Sequence, residues 1–336
     1  MFCNFTKENI DYFIKKKYNL SENNSLLKFL NNEQNNIISF INKKTIDIQI
    51  NYNYNCHVSK YCNSRFVDYN NLLKYNDFIL HEKSILISWN EQKIIIKTNS
   101  FNNIVLLKIK ILIYIIEYLN LKHKKFKLIL ILSNLTKITP YKQIHLNAEH
   151  INSGYSHIPN KLIVVWRYEE FEKVILHEII HFFKLDKNHD SVNMPDIILT
   201  DKYSHNYNEA ITDFYGICYH IIYISIILNI NVKILLEIEL SFIENQAMKL
   251  NSFFELGNWT KKPLKFIKQK TSAFSYYIIK YLLFKHIINK NNIEIKNYLE
   301  NLTLKEIIRL SLDTDFKQLS FKDISSFRMT LFQLKY

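Results

Sequence analysis

The sequence predicts an α+β fold: an N-terminal mixed sheet with helices, followed by a mainly helical C-terminal part. Two observations carry this expectation. Every segment with a strand pattern lies before about residue 168, and nearly everything from Glu169 onward repeats with a helical period, apart from a polar loop near Asp186–Asn206. In addition, no internal repeat and no Pro/Gly/Ser-rich linker divides the chain, and its length allows one large domain or two intimate subdomains.

Element by element, residues 1–43 read as helical, with punctuation around Glu22–Ser25 and Asn31–Asn36. Thr45–Tyr52 (TIDIQINY) alternates as a half-buried strand. Ser84–Trp89 and Gln92–Thr98 flank a two-residue Asn90-Glu91 turn and form a hairpin pattern. Asn102–Leu121 is long and apolar enough for a buried helix, Lys127–Ser133 (KLILILS) reads as a central strand, and Lys161–Arg167 (KLIVVWR) as another. The most membrane-like stretch, Phe214–Ile230, falls short of about 20 clean apolar residues and carries His220 and Asn229, so it is expected to be a buried core helix and not a membrane span.

Composition narrows the function classes. The 336 residues are 48% hydrophobic and 22% charged, which excludes a disordered chain. There are 3 Gly and 4 Pro, where average usage gives roughly 24 and 17. Residues with AT-rich codons are inflated, the imprint of an AT-rich genome. The net charge of +13 is carried almost entirely by Lys, because only four of the 44 basic residues are Arg. A Lys surface produced by codon bias is weak evidence for nucleic-acid binding. The Lys-rich runs Leu121–Lys127 and Lys261–Lys270 read as solvated helix ends. The first residues contain no apolar stretch of signal-peptide length, and Cys3, Cys56, Cys62 and Cys218 form no paired framework. An intracellular, non-secreted protein with reduced thiols is expected. Cys56-His57 with Cys62 matches no common zinc knuckle.

The chemistry concentrates in His177-Glu178-Ile179-Ile180-His181, within EEFEKVILHEIIHFFKLD. Residues four apart share a helix face, so both imidazoles can reach one metal ion, and Glu178 is placed to take a proton from a metal-bound water. Zn²⁺ suits such a site, being tetrahedral, redox-inert and matched to imidazole and carboxylate. Downstream, Tyr207-Asn208-Glu209-Ala210-Ile211-Thr212-Asp213-Phe214-Tyr215-Gly216 places Glu209 and Asp213 four apart on a second helix. Glu209 as third ligand completes a His₂Glu set with a position open to water. Asp213, one turn on, is expected to accept the free ring N–H of His177 and fix its tautomer. Gly216 continues the stripe and removes a side chain where this helix can press against another backbone. His220, eleven residues past Glu209, is about 16 Å along the helix and too far to ligate.

HEIIH followed by NEAITD resembles the gluzincin branch of the zincin metallopeptidases. The wider segment Asn152–Asp186 is similar to predicted metallopeptidases of giant DNA viruses, as is Ser272–Lys280 (SAFSYYIIK). The metzincin pattern does not fit, since Lys184 and Lys187 occupy the places of its Gly and third His. The resemblance implies a zincin-like fold with the cleft between the two parts, one Zn²⁺, and hydrolysis of peptide bonds in a peptide or protein substrate by an activated water, with Glu178 as general base. It divides the chain into an N-terminal α/β region (1–100), a zincin catalytic core (101–230) and a helical C-terminal subdomain (231–336). A donor for the developing oxyanion is required; candidates are Tyr276, Tyr277, His205 and Tyr207. By the same analogy the strand Lys161–Arg167, just ahead of the HExxH helix, would offer its edge to an extended peptide. The alternatives are a catalytically silent zincin scaffold in a virion or host complex, or a basic nucleic-acid-binding protein with a fortuitous HExxH.

Overall fold

Six strands form one mixed sheet in the order β1-β2-β3-β4-β6-β5. They are β1 (Gln49–Asn55), β2 (Lys83–Trp89), β3 (Gln92–Lys97), β4 (Lys127–Ile131), β5 (Gly154–His157) and β6 (Leu162–Val165). The computed structural model describes residues 2–57, 83–98, 103–133, 135–137, 139–140, 146–186, 207–254, 269, 271–302, 306 and 326–335. The pairs β1–β2, β2–β3 and β5–β6 are antiparallel, whereas β3–β4 and β4–β6 are parallel. Both parallel pairs need crossovers, and α3 (Asn103–Leu119) supplies the first. The Asn90-Glu91 turn closes the hairpin with both residues at positive φ (40° and 67°), the geometry that matches strand twist.

The strand expected over Thr45–Tyr52 begins only at Gln49. Gln49 pairs with Ser88, one residue before β2 ends, so earlier residues run past the end of their partner. At the N-terminus, α1 (Asn4–Lys15) and α2 (Ser25–Lys43) are separated where punctuation was expected. Asn24 caps α2 by accepting the N–H groups of Leu26 and Leu27 at 3.0 and 3.3 Å. The second expected break, Asn31–Asn36, lies inside α2, where Asn31, Asn32, Asn35 and Asn36 are exposed and face water without competing for the backbone.

Alternation along the strands separates two apolar faces. Ile94, Ile96, Leu128, Leu130, Ile163 and Val165 join the main core under the helices. Ile95, Ile129, Ile131, Val164 and Trp166 form a smaller cluster on the opposite face. The main cluster runs from Phe13 through Ile222 to Leu334, so side chains from all three expected regions share it.

On that core lie α4 (Ala148–Ile151), α5 (Phe171–Phe183), α6 (Tyr207–Leu228), α7 (Val232–Phe253), a π-helical turn (Ser275–Ile279), α8 (Lys280–Ile288) and α9 (Ile295–Asn301). Helix α6 is long and apolar enough over Asn208–Leu228 to cross a bilayer, and 83% of its most apolar window is buried inside the fold. One part of the C-terminal half departs from the helical expectation: Ser326–Lys335 is non-helical yet almost wholly buried. Its backbone is satisfied by side chains instead of by a helix. Glu170 accepts from the N–H groups of Met329 and Thr330, Glu239 from Leu331, and Thr6 from Gln333.

Candidate metal centre

Helix α5 is fixed before any ligand is considered. Ile175, Leu176, Ile179 and Ile180 are fully buried, and each such side chain is worth about 1.5–3 kcal/mol of transfer from water. His177 and His181 therefore emerge from a helix whose rotation is set by packing. The helix ends at Lys184 in the left-handed conformation (φ 57°), with the Leu185 N–H returning to the Ile180 carbonyl at 3.0 Å. That reversal brings Asp186 back over the last turn, where its Oδ2 lies 2.7 Å from His181 Nδ1. The Thr212 hydroxyl donates to the same Asp186 oxygen at 2.8 Å.

Helix α6 crosses α5 at Gly216. A methyl group there would lie 3.4 Å from the His177 Cα and 3.5 Å from its Cβ, so the glycine faces the His177 backbone as the sequence predicts. One turn before it, Asp213 Oδ1 is 3.0 Å from His177 Nδ1, the partnership expected from spacing. With each Nδ1 held by a carboxylate, both Nε2 atoms are left for Glu209. Its Oε2 lies 3.3 Å from His177 Nε2 and 3.1 Å from His181 Nε2. The three donor atoms fall within 4.8 Å of one another. Ligands about 2.0–2.1 Å from a tetrahedral zinc stand about 3.4 Å apart, so the donor set suits such an ion in chemistry, and the two Glu209–imidazole distances suit it in spacing.

Charge couples the three side chains around one position. Burial holds the His177 imidazole neutral, with its pKa pushed down to about 3. His181 is pushed well above its ordinary value, because Glu209 and Asp186 outweigh its burial. Glu209 is held well below the ordinary carboxyl range against its burial, chiefly by His181 and His177.

Glu178 sits on the other flank. Gly154 of β5 makes room for it, since a methyl there would meet Glu178 Cγ and Oε1 at 3.2 Å and Val174 Cγ1 at 2.7 Å. Burial raises the Glu178 pKa to about 7, with His181 and a hydrogen bond from Ser156 pulling the other way. A carboxylate poised near 7 suits proton transfer at neutral pH.

Of the four donor candidates, the structure brings Tyr276 to the cluster. The π-helical turn Ser275–Ile279 presents its hydroxyl to Glu209 Oε2 at 2.9 Å, with its ring 5.7 Å from that of His177. Tyr277 is not brought there. Its hydroxyl donates to the Phe327 carbonyl at 2.8 Å and its ring is fully buried beside Phe327, because adjacent residues on a helical turn diverge. His205 lies outside the described residues, as does the side chain of Tyr207. His220 is a core histidine, with Nδ1 3.4 Å from the Thr330 hydroxyl and its pKa pushed down to about 3 by burial.

The strand Lys161–Arg167 cannot offer an edge. As β6 it is paired on one side with β4 and on the other with β5. Among the described residues, the strand at this end of the sheet is β5, directly against Glu178.

Four partners escaped the sequence reading. Lys173 and Lys280 both donate to Asp213, Lys280 at 2.7 Å, so the carboxylate behind His177 is held by two buried lysine side chains. Lys173 stands one turn ahead of His177, and a lysine within so apolar a helix was the available signal. Asp186 depends on the helix-ending reversal, which spacing does not disclose. Gly154 was open to the argument applied to Gly216, since glycine is scarce throughout. Comparison with protein-family models, with curated proteins and with solved structures finds no match to this chain.

Proposed function

We infer that the protein is a zinc-dependent metallopeptidase of gluzincin type. The observation that carries this reading is the convergence of His177 Nε2, His181 Nε2 and a Glu209 oxygen from two helices, beside a buried Glu178 with a pKa near 7. A zincin-like arrangement is supported by the order of parts: a mixed sheet ending in an antiparallel strand, the HExxH helix against it, and a glutamate helix crossing that helix.

Zinc held by these residues would supply Lewis-acid activation of a water and of the scissile carbonyl. Glu178 takes the water's proton and later delivers it to the departing amine. Asp213 and Asp186 keep both imidazoles oriented with Nε2 toward the ion. Tyr276, with its hydroxyl on Glu209, would donate to the reacting carbonyl oxygen. An extended substrate would pair with the open edge of β5, the strand that carries Gly154 beside Glu178. The buried state of α6 supports a core helix over a membrane span.

Elemental analysis combined with a peptide-library cleavage assay tests the reading. Wild-type protein should hold one zinc per chain and cleave. His177→Ala and Glu209→Ala should lose the metal, and Glu178→Gln should keep it while losing hydrolysis. Cleavage retained by Glu178→Gln would end the water-activation mechanism.

A further inference from the structure

A cavity of about 310 Å³ opens beside the C-terminal turn of α5, bounded by α2, α3, α6 and α9. Neither the three metal-ligand candidates nor Glu178 and Tyr276 line it. Its volume lies at the lower end of the range for small-molecule sites. Two features set it apart from an ordinary surface dent.

The first is an aromatic wall made by Tyr118, Tyr215 and Tyr219. Tyr118 and Tyr219 spend their hydroxyls on Glu33, at 3.4 and 2.9 Å. Lys296 pairs with the other Glu33 oxygen at 3.0 Å, so this carboxylate is already compensated. The Tyr215 hydroxyl makes no hydrogen bond among the described residues.

The second is a cationic rim. Lys122 and Lys124 enter from the loop before β4, and Lys184 from the end of α5. Lys124 donates to the Phe182 carbonyl at 3.1 Å and caps that helix. Lys122 and Lys184 are exposed and make no ion pair among the described residues. Burial first, then the charges of Lys122 and Lys184, lower the Lys124 pKa, the sign of cations gathered without an anion. In all, four lysines and two glutamates line the cavity.

We propose that this cavity binds a small organic anion, its apolar body against the tyrosine rings and its charged end between Lys122, Lys124 and Lys184. An excess of positive charge in the lining, four lysines against two glutamates, and apolar area inside call for a ligand with both parts. Neither inorganic anion nor neutral hydrocarbon satisfies the two together.

Calorimetric titration with naphthalene-1-sulfonate tests this, with 2-naphthylmethanol and inorganic sulfate as single-feature probes. Wild-type protein should bind the aromatic sulfonate one to one, at least tenfold tighter than either control, and equally with or without EDTA. The EDTA arm separates this site from the metal centre, so either reading can fail alone. The variant Lys122→Ala/Lys184→Gly should weaken binding at least tenfold with an unchanged Tm; glycine at 184 suits the left-handed backbone there. Tyr215→Ala, which shortens the wall and leaves the rim, should weaken both naphthalene probes together. No binding by wild type, equal binding of the neutral or the inorganic probe, or undiminished binding by the double-lysine variant would overturn the proposal.

Discussion

His177 shows how much of a candidate ligand's behaviour is set by residues outside the His177–His181–Glu209 cluster. Its Nδ1 rests on Asp213, and that carboxylate is clamped by Lys173 and Lys280, all of them buried. A carboxylate so held cannot swing away, so the imidazole keeps one orientation and one tautomer. Asp213→Asn should therefore weaken zinc binding about 10–100-fold, measured by competition with a chromophoric chelator. Unchanged affinity would show that the Asp213 contact orients nothing. In the proposed mechanism Tyr276 acts at the reacting end; its hydroxyl lies 2.9 Å from Glu209. Removal of one oxyanion donor costs about 10²–10³ in kcat. Tyr276→Phe should produce that loss with one zinc still bound and KM little changed; a rise in KM alone would reassign Tyr276 to substrate binding.

At the scale of elements, two of the scarce glycines stand at two contacts with different tolerances. Gly216 faces the His177 backbone at 3.4–3.6 Å, ordinary contact distance, so an alanine methyl fits. Gly154 is tighter, with Val174 Cγ1 at 2.7 Å and Glu178 Cγ and Oε1 both at 3.2 Å from the added carbon. Gly216→Ala should leave stability unchanged or raise it by up to about 1 kcal/mol through helix propensity. Gly154→Ala should cost about 1–3 kcal/mol by overpacking and should lower kcat by displacing Glu178. Denaturant melts and steady-state rates on the pair check this, and equal effects at both positions would sink it. The same contrast explains what could be read in advance. Helix α5, helix α6 and the Glu209–Asp213–Gly216 stripe were legible because a 3.6-residue period carries face information along one helix. The hairpin and β4 were legible from alternation and an apolar run. Strand β5 was not, since four residues reading GYSH carry no period and become a strand only by pairing with β6. Which of Tyr276 and Tyr277 faces the cluster is likewise set by the packing of the π-helical turn and invisible in the pair of letters.

For the whole molecule, the segment Ser326–Lys335 ties the fold together behind the candidate metal centre, and Glu170 is its principal anchor. Glu170 accepts Met329 N–H at 2.5 Å, Thr330 N–H at 2.8 Å and the Lys137 ammonium at 2.7 Å, with no side-chain exposure at either end of the ion pair. Burial pushes this carboxyl up, but Lys137, Arg328 and the Thr330 N–H more than offset it and hold its pKa down at about 2. Taking away one partner of such a buried pair costs about 3–5 kcal/mol, since it leaves the other charge uncompensated. Glu170→Gln should lose that much at neutral pH. The sign of the pH dependence follows from the direction of the shift. A depressed carboxyl stabilises the fold fully above its unfolded pKa, ordinarily about 4.5, and loses that contribution as pH falls toward 2. The gap between wild type and Glu170→Gln in urea denaturation should therefore be constant from pH 7 down to about 5 and narrow steadily below about 4.5. Because Met329 also carries contacts from Lys173 and Lys280, loosening of this segment should reach Asp213 and with it His177. Zinc affinity of Glu170→Gln, measured at neutral pH where the variant is still folded, should fall along with stability. A variant that loses stability and keeps wild-type zinc affinity would show that the segment closes the core without steadying the metal centre.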